Sequence, residues 1–296
     1  MKALKRILPA LFIGMLLVLA GCGDSSSSGS EEGSDESSKT IELGLNNWAE
    51  NVAVSNMWKV ILEDEGYTVN LNMTEKGPLY QALKSDDLDV ALEVWLPHTD
   101  KPFYEDFKND VDFHKDQTWF EGTILGLAVP SYVDVNSIEE LNENKEMFED
   151  GKIYGIDAGS SLMGLTEDVI KEYDLDYSTA ASSGPAMTTQ LGESIRKEEP
   201  ILVTLWKPHW VFAEYDVKFL EDPKNVYGDE ENISWMSRQG FTEDYPEVTE
   251  YINTWKMNDE QLGSLMNMVK EAEAPADGAQ KWVDENEDLI NEWLGK

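Results

Sequence analysis

The chain has 296 residues, one cysteine, and 23 Lys and Arg against 59 Asp and Glu, for a formal net charge of −36. A field of that sign repels nucleic acid and anionic partners and excludes a basic nucleic-acid-binding module. A solvated acidic surface, as in exported proteins of saline or alkaline habitats, accounts for it without a dedicated cationic partner, so charge alone selects no ligand.

Lys2, Lys5 and Arg6 form a positive opening segment, and Ile7 to Leu19 an apolar run too short to span a bilayer comfortably. Leu19-Ala20-Gly21-Cys22 has the pattern of a lipobox. Residues 1–21 are therefore expected to be a lipoprotein signal peptide. Cys22 is the expected lipidation site, which places the protein on the extracytoplasmic face of the cell membrane. Residues 22–39 are mostly Ser, Gly, Glu and Asp. They cannot bury enough apolar surface to offset their ordering entropy, so a disordered tether is expected. No later segment is apolar for long enough to cross a membrane, so the chain reads as anchored rather than spanning.

Thr40 to Leu45 reads as a strand, and Val52 to Glu65 as a helix with Val54, Met57, Trp58, Ile61 and Leu62 at helical spacing. After Gly66-Tyr67, Thr68 to Met73 alternates as a strand, Leu79 to Lys84 makes a short helix, and Val90 to Val94 a strand that delivers Trp95. The order βαβαβ predicts a mainly parallel sheet flanked by helices. It recurs in strands over 152–156, 177–181 and 201–205 with helices over 162–173 and 187–197, the last strand delivering Trp206. Gly122 to Val129, followed by Pro130, reads as a buried strand crossing between two lobes, with a return near 217–227. Helical patterns over 258–272 and 276–294 are expected to pack back on the first lobe. The reading is an α/β chain with lobe 1 over 40–127 plus 228–296 and lobe 2 over 128–227.

Trp-x-Pro-His occurs twice, as Trp95-Leu96-Pro97-His98 and Trp206-Lys207-Pro208-His209, 111 residues apart. The same offset lays Gly44 to Trp48 over Gly155 to Gly159. Ligands of open α/β sheets bind beyond the carboxyl ends of the strands. The loops at Trp48, Trp95, Asp157 to Leu162 and Trp206 all lie there, so a cleft between two similar lobes is expected to carry the site.

No Gly-x-Ser-x-Gly elbow, phosphate-binding glycine loop or cysteine nucleophile is present, so no enzymatic constellation and no cofactor is indicated. His98 and His209 lack the further ligands that a metal needs, so no metal site is expected. His114, in a polar acidic stretch, is expected to be exposed. Of the ten tryptophans, Trp58, Trp282 and Trp293 fall on helix faces and read as core, while Trp119, Trp210, Trp235 and Trp255 have no clear placement. Trp48, Trp95 and Trp206 each follow a strand end and are candidates to face a ligand. A quaternary ammonium has charge but no N–H, so a box of indole faces is its natural receptor, at about 0.5–2 kcal/mol per contact. The loop over 157–162 opens a helix and offers amides to an anion, although an ordinary strand-to-helix turn accounts for the same residues.

The run Asn47-Trp48-Ala49-Glu50, Val94-Trp95-Leu96-Pro97, Gly155 to Ser160, Leu205 to Trp210 and Phe219 to Lys224 resembles the glycine betaine-binding proteins of osmoprotectant ABC importers. The similarity runs over nearly all of residues 40–296. It implies a two-lobed type II periplasmic-binding-protein fold that closes on betaine, with Trp48, Trp95 and Trp206 around the ammonium. The backbone amides of Ser161 and Leu162 would hold the carboxylate. Gly159 and Ser160 before the helix, and His98 and His209 from the two Trp-x-Pro-His loops, complete the implied ligand-binding set. Some relatives carry a histidine five residues after the second of these tryptophans, where this chain has Asp100, with His98 two residues earlier. The implied function is capture of glycine betaine, and of proline betaine, for ABC permease subunits by a monomeric lipoprotein. The alternative is another onium compound such as choline, carnitine or dimethylsulfoniopropionate. A hydrolase or lyase lacks its nucleophile here, and an adhesin would not need the repeated tryptophan loops.

Overall fold

A computed structural model describes residues 39–296. The expected signal peptide, Cys22 and all of the expected tether but Lys39 lie outside the described residues. Strands β1 (Thr40–Leu45), β2 (Thr68–Met73) and β3 (Val90–Leu96) are parallel, with β1 central, and are linked by helices α1 (Ala49–Asp64) and α2 (Lys76–Lys84). β1 buries Ile41, Leu43 and Leu45 on alternate positions, as a half-covered strand does. β3 is buried at nearly every position because helices cover one face and the core the other. α1 turns Ala53, Val54, Met57, Trp58, Ile61 and Leu62 to the core, and Gly66 at φ +87° releases the chain into β2.

After α3 (Lys101–Phe107), the twenty-residue β4 (Val111–Pro130) joins the two halves of the sheet. Its first part pairs antiparallel with β9 (Glu231–Arg238) as far as Thr123, and from Ile124 it pairs with β7 (Val203–Lys207). The switch falls beside Gly122 at φ +80°, where the register shifts. The second half repeats the first: β5 (Lys152–Tyr154), α4 (Ser161–Glu172), β6 (Ser178–Ala180), α5 (Gly184–Arg196) and β7 are parallel strands with helical crossovers. A short helix α6 (Val211–Glu214) and strand β8 (Val217–Phe219), paired to β4, precede the return into β9. The sheet order is β2-β1-β3-β9-β4-β7-β5-β6. The sheet is mixed, because the crossing strand β4 and the returning strand β9 run antiparallel to the repeats. β4 begins eleven residues before the expected crossing segment, since its polar first part is held by β9 rather than by its own apolar pattern.

Helices α7 (Phe241–Asp244), α8 (Pro246–Thr254), α9 (Asp259–Glu271), α10 (Pro275–Glu285) and α11 (Glu287–Trp293) close the chain, with α9 and α10 packed on α1. Five tryptophans lock this region. Trp119 stacks on Trp255 at 4.3 Å, Trp58 meets Trp255 edge-on at 5.5 Å, and Trp293 lies 6.3 Å from Trp282. Each such pair adds about 0.5–1.5 kcal/mol to the burial term. Trp235 is also buried and stacks on His114 at 3.5 Å. His114 is therefore half-buried rather than exposed, because its polar stretch is the inner part of β4. Burial pushes its pKa down to about 4. No helix among the described residues is long and apolar enough to cross a membrane.

Candidate functional site

Trp48, Trp95 and Trp206 line one cavity. Trp48 sits between β1 and α1, as the residue that starts the helix. Trp95 and Trp206 are the next-to-last residues of β3 and β7, paired with Ile233 and Leu125, so each strand runs past its tryptophan rather than stopping before it. In both repeats the following X–Pro bond is cis, at Leu96-Pro97 and Lys207-Pro208. All three indoles are nearly buried, at 8, 4 and 3 % exposed.

Each indole N–H is held by a carboxylate. Trp48 Nε1 donates to Asp157 at 2.8 Å, Trp95 Nε1 to Glu93 at 2.7 Å, and Trp206 Nε1 to Glu50 at 2.8 Å. These bonds place a carboxyl group at the edge of each indole and fix the ring planes. Two of the three cross between the sheet halves: Trp48 follows β1 while Asp157 follows β5, and Trp206 ends β7 while Glu50 begins α1. Glu50 and Glu93 line the same cavity at 1 % exposed each. Burial, reinforced by Glu93, raises the Glu50 pKa well above the usual carboxylate range, and burial also raises Glu93 against the opposing pull of Lys76.

A second polar group closes the cavity. Asp100 Oδ2 accepts the Trp95 amide at 2.8 Å and the Lys76 ammonium at 2.7 Å, while its Oδ1 accepts the Ser161 hydroxyl at 2.7 Å. Lys76 and Asp100 are both buried, and the ammonium also lies 5.0 Å from the Trp48 ring centroid. Ser160 caps α4 by accepting the Met163 amide, and Ser160, Ser161 and Leu162 line the cavity. The first amides of a helix have no intrahelical partner, so this twelve-residue helix presents donors and a positive dipole end there.

Three expected positions fall elsewhere. Glu231 on β9 accepts the amides of His98, at 2.8 Å, and Thr99, which turns the His98 ring out over Gly228 and leaves it exposed. His209 packs edge-on behind Trp206 at 4.7 Å, and its Nδ1 accepts the Val211 amide at 3.1 Å. It supports the indole from outside the cavity, and burial pushes its pKa down to about 3. Gly159 is exposed on the loop before Ser160. Glu50 and Glu93 escaped the sequence reading because carboxylates are everywhere in this chain, and Lys76 because only tertiary contacts bury it. The one available signal was Glu93, a charge inside the apolar strand Val-Ala-Leu-Glu-Val-Trp. No group of three or more His, Cys, Asp or Glu among the described residues is placed to hold a metal ion.

Residues 39–285 match the family described as the substrate-binding domain of ABC-type glycine betaine transport systems. The chain is 40 % identical over 144 residues to the glycine betaine/carnitine transport binding protein GbuC of Listeria monocytogenes, an alignment covering 48 % of each chain. It thus spans about half the length of that curated relative. Its structure superposes on lactococcal OpuAC in the closed form complexed with glycine betaine, with a TM-score of 0.80 and 29 % identity over 86 % of this chain and 99 % of that one. It superposes equally on the glycine/betaine/L-proline-binding protein ProX of Borrelia burgdorferi, with a TM-score of 0.80 and 33 % identity over 86 % and 96 %. The fold is that of the type II periplasmic binding proteins, and the family is one of transport binding proteins, not of enzymes. The chain belongs to the substrate-binding domains of ABC-type glycine betaine transport systems.

Proposed function

We propose that the cavity captures glycine betaine, and proline betaine with it, for delivery to the permease of an ABC importer. The observation that carries this reading is the convergence of three carboxylate-anchored indoles on one cavity that also takes in the first turn of α4. The indole faces take the trimethylammonium and the amides of Ser161 and Leu162 the carboxylate. Lipidation at Cys22 tethers the protein to the outer face of the cell membrane, a reading that rests on the sequence Leu19-Ala20-Gly21-Cys22.

Titration of the protein with glycine betaine, proline betaine, choline, carnitine and dimethylsulfoniopropionate, followed by tryptophan fluorescence and calorimetry, tests the proposal. Saturable binding that ranks the betaines first supports it. Choline binding as tightly as glycine betaine leaves a generic onium receptor, and no binding of any onium compound overturns it. Carnitine is the second reading, because the relative GbuC is named for it.

A further inference from the structure

We propose that Glu50 and Glu93 share one proton beneath the tryptophan box and act as a single counter-anion that makes the site select a permanent cation over a neutral ligand of the same shape. This rests on the betaine reading of the cavity and deepens it.

Glu50 lies on the first turn of α1 and Glu93 inside β3, and both line the cavity at 1 % exposed. One oxygen of each carboxyl is committed to the box: Glu50 Oε2 accepts Trp206 Nε1, and Glu93 Oε1 accepts Trp95 Nε1. The other two oxygens, Glu50 Oε1 and Glu93 Oε2, are fully buried and have no donor among the described residues. Two ionised carboxylates with unpartnered oxygens in a buried site are costly twice over, through repulsion and through desolvation. Both unpartnered oxygens belong to groups on the wall of one cavity, so one proton held between the pair relieves both costs at once.

The groups facing the pair decide where the proton rests. Lys76 from α2 acts on Glu93, as does Asp100 from the loop after β3, and the Asn51 amide on α1 is beside Glu93. Asp157, from the loop after β5, holds Trp48 on a different wall and faces Glu75. The cation Lys76 favours ionised Glu93, so Glu50 keeps the proton. Lys76 and Asp100 offset each other, and the pair is left with one negative charge against the box. A trimethylammonium pairs with that charge through the indoles, whereas a tert-butyl group of the same shape gains only dispersion.

The test compares glycine betaine with 3,3-dimethylbutanoate, its uncharged-head isostere, in the wild-type protein and in Glu50→Gln and Glu50→Gln/Glu93→Gln variants shown to be folded by circular dichroism. The single variant keeps the geometry of a protonated Glu50, because the amide donates to Glu93 and its oxygen accepts Trp206. It is expected to lose less glycine betaine affinity than the double variant does. The double variant removes the charge and is expected to lose about tenfold or more for glycine betaine while leaving 3,3-dimethylbutanoate nearly unchanged. Should the double variant not fold, the pH profile decides. A bound cation favours ionisation of the pair, so wild-type affinity for glycine betaine rises with pH, and Glu50→Gln, with one titrating carboxyl fewer, rises less. Unchanged discrimination in the folded double variant, or the same pH profile in wild type and Glu50→Gln, overturns the proposal. Wild-type protein that binds no onium compound would overturn the betaine reading itself, a separate outcome.

Discussion

Trp206 at the end of β7 donates its indole N–H at 2.8 Å to Glu50 at the start of α1, and Trp48 beside that same glutamate donates at 2.8 Å to Asp157 after β5. The two bonds run in opposite directions between the sheet halves, so each half supplies one indole and one carboxylate. Ser161 to Asp100 at 2.7 Å makes a third link. Residues that line the cavity therefore also link the two halves of the sheet.

Asp157 is the accessible end of this arrangement, half-buried on its loop. Replacing it with alanine removes the acceptor of the Trp48 N–H without opening the core. A hydrogen bond to a charged group is worth about 1.5–3 kcal/mol. The Asp157→Ala variant is expected to lose roughly tenfold or more in glycine betaine affinity by calorimetry, mainly through faster dissociation, while its ligand-free melting temperature stays within a few degrees of wild type. Asp157→Asn, which retains an acceptor, should fall between the two.

The three box indoles separate from the structural ones by the same measurement. Removing one π-face from Trp48, Trp95 or Trp206 should cost about 1–2 kcal/mol of onium binding, roughly a tenfold loss, with phenylalanine retaining more than alanine. Trp282, 1 % exposed and stacked on Trp293, touches none of the cavity. Its alanine variant should lower the melting temperature, at about 3–5 kcal/mol for a buried aromatic, and leave the affinity of the folded fraction unchanged. Normal betaine binding in all three folded box variants would place the ligand elsewhere.

Lys76 and Asp100 form a buried ion pair, each 1 % exposed and 2.7 Å apart. Lys76→Met leaves Asp100 buried with its charge uncompensated, and breaking such a pair from one side costs about 3–5 kcal/mol. For a chain of this size, that is a fall on the order of 10 °C in melting temperature. The paired Lys76→Met/Asp100→Leu replacement should recover part of that stability but not binding, because Asp100 also anchors the Trp95 amide and the Ser161 hydroxyl. A double replacement no more stable than Lys76→Met would show that the hydrogen bonds of Asp100, not its charge, carry the loss.

The repeated Trp-x-Pro-His and the alternation of apolar strands with helical spacings made the two sheet halves and the placement of Trp48, Trp95 and Trp206 legible in the sequence. Those signals are local: period two, period 3.6, and a loop at each strand end. What was not legible depends on long-range pairing. The first part of β4 is polar and becomes a strand only because β9, more than a hundred residues later, pairs with it. The same pairing buries His114 against Trp235. His98 was misplaced because its orientation is set by Glu231, again on β9. Glu50 and Lys76 look like ordinary surface charges until tertiary contacts bury them.

Cys22 lies outside the described residues, and its role is tested in cells. If the lipobox is processed, the Cys22→Ala variant should appear in the medium or as an uncleaved precursor, and fractionation with globomycin-type inhibition of lipoprotein processing should reproduce that shift. Membrane retention equal to wild type would sink the anchoring proposal while leaving the cavity untouched.

Acid sensitivity follows from two histidines, His209 buried and His114 half-buried. His209 is pushed down to about 3 and His114 to about 4, from an ordinary value of 6.5, by burial. Both are depressed, so the unfolded chain takes up protons before the folded one does. The stability they allow is fully present above pH 6.5 and is lost as pH falls toward the folded values. Each such group contributes a slope of up to about 1.4 kcal/mol per pH unit, less for the part-exposed His114. Glu50 and Glu93 act with the opposite sign, since their raised values favour the folded state as pH falls toward the ordinary carboxylate value of 4.5. The wild-type curve is therefore a sum of opposed terms, and only the difference between variants isolates one of them. His209→Gln cannot protonate and keeps a side-chain oxygen to accept the Val211 amide, so its melting temperature should fall less than wild type between about pH 7 and 4.5. Parallel melting curves for the two proteins over that range would show that His209 is not held neutral in the folded state.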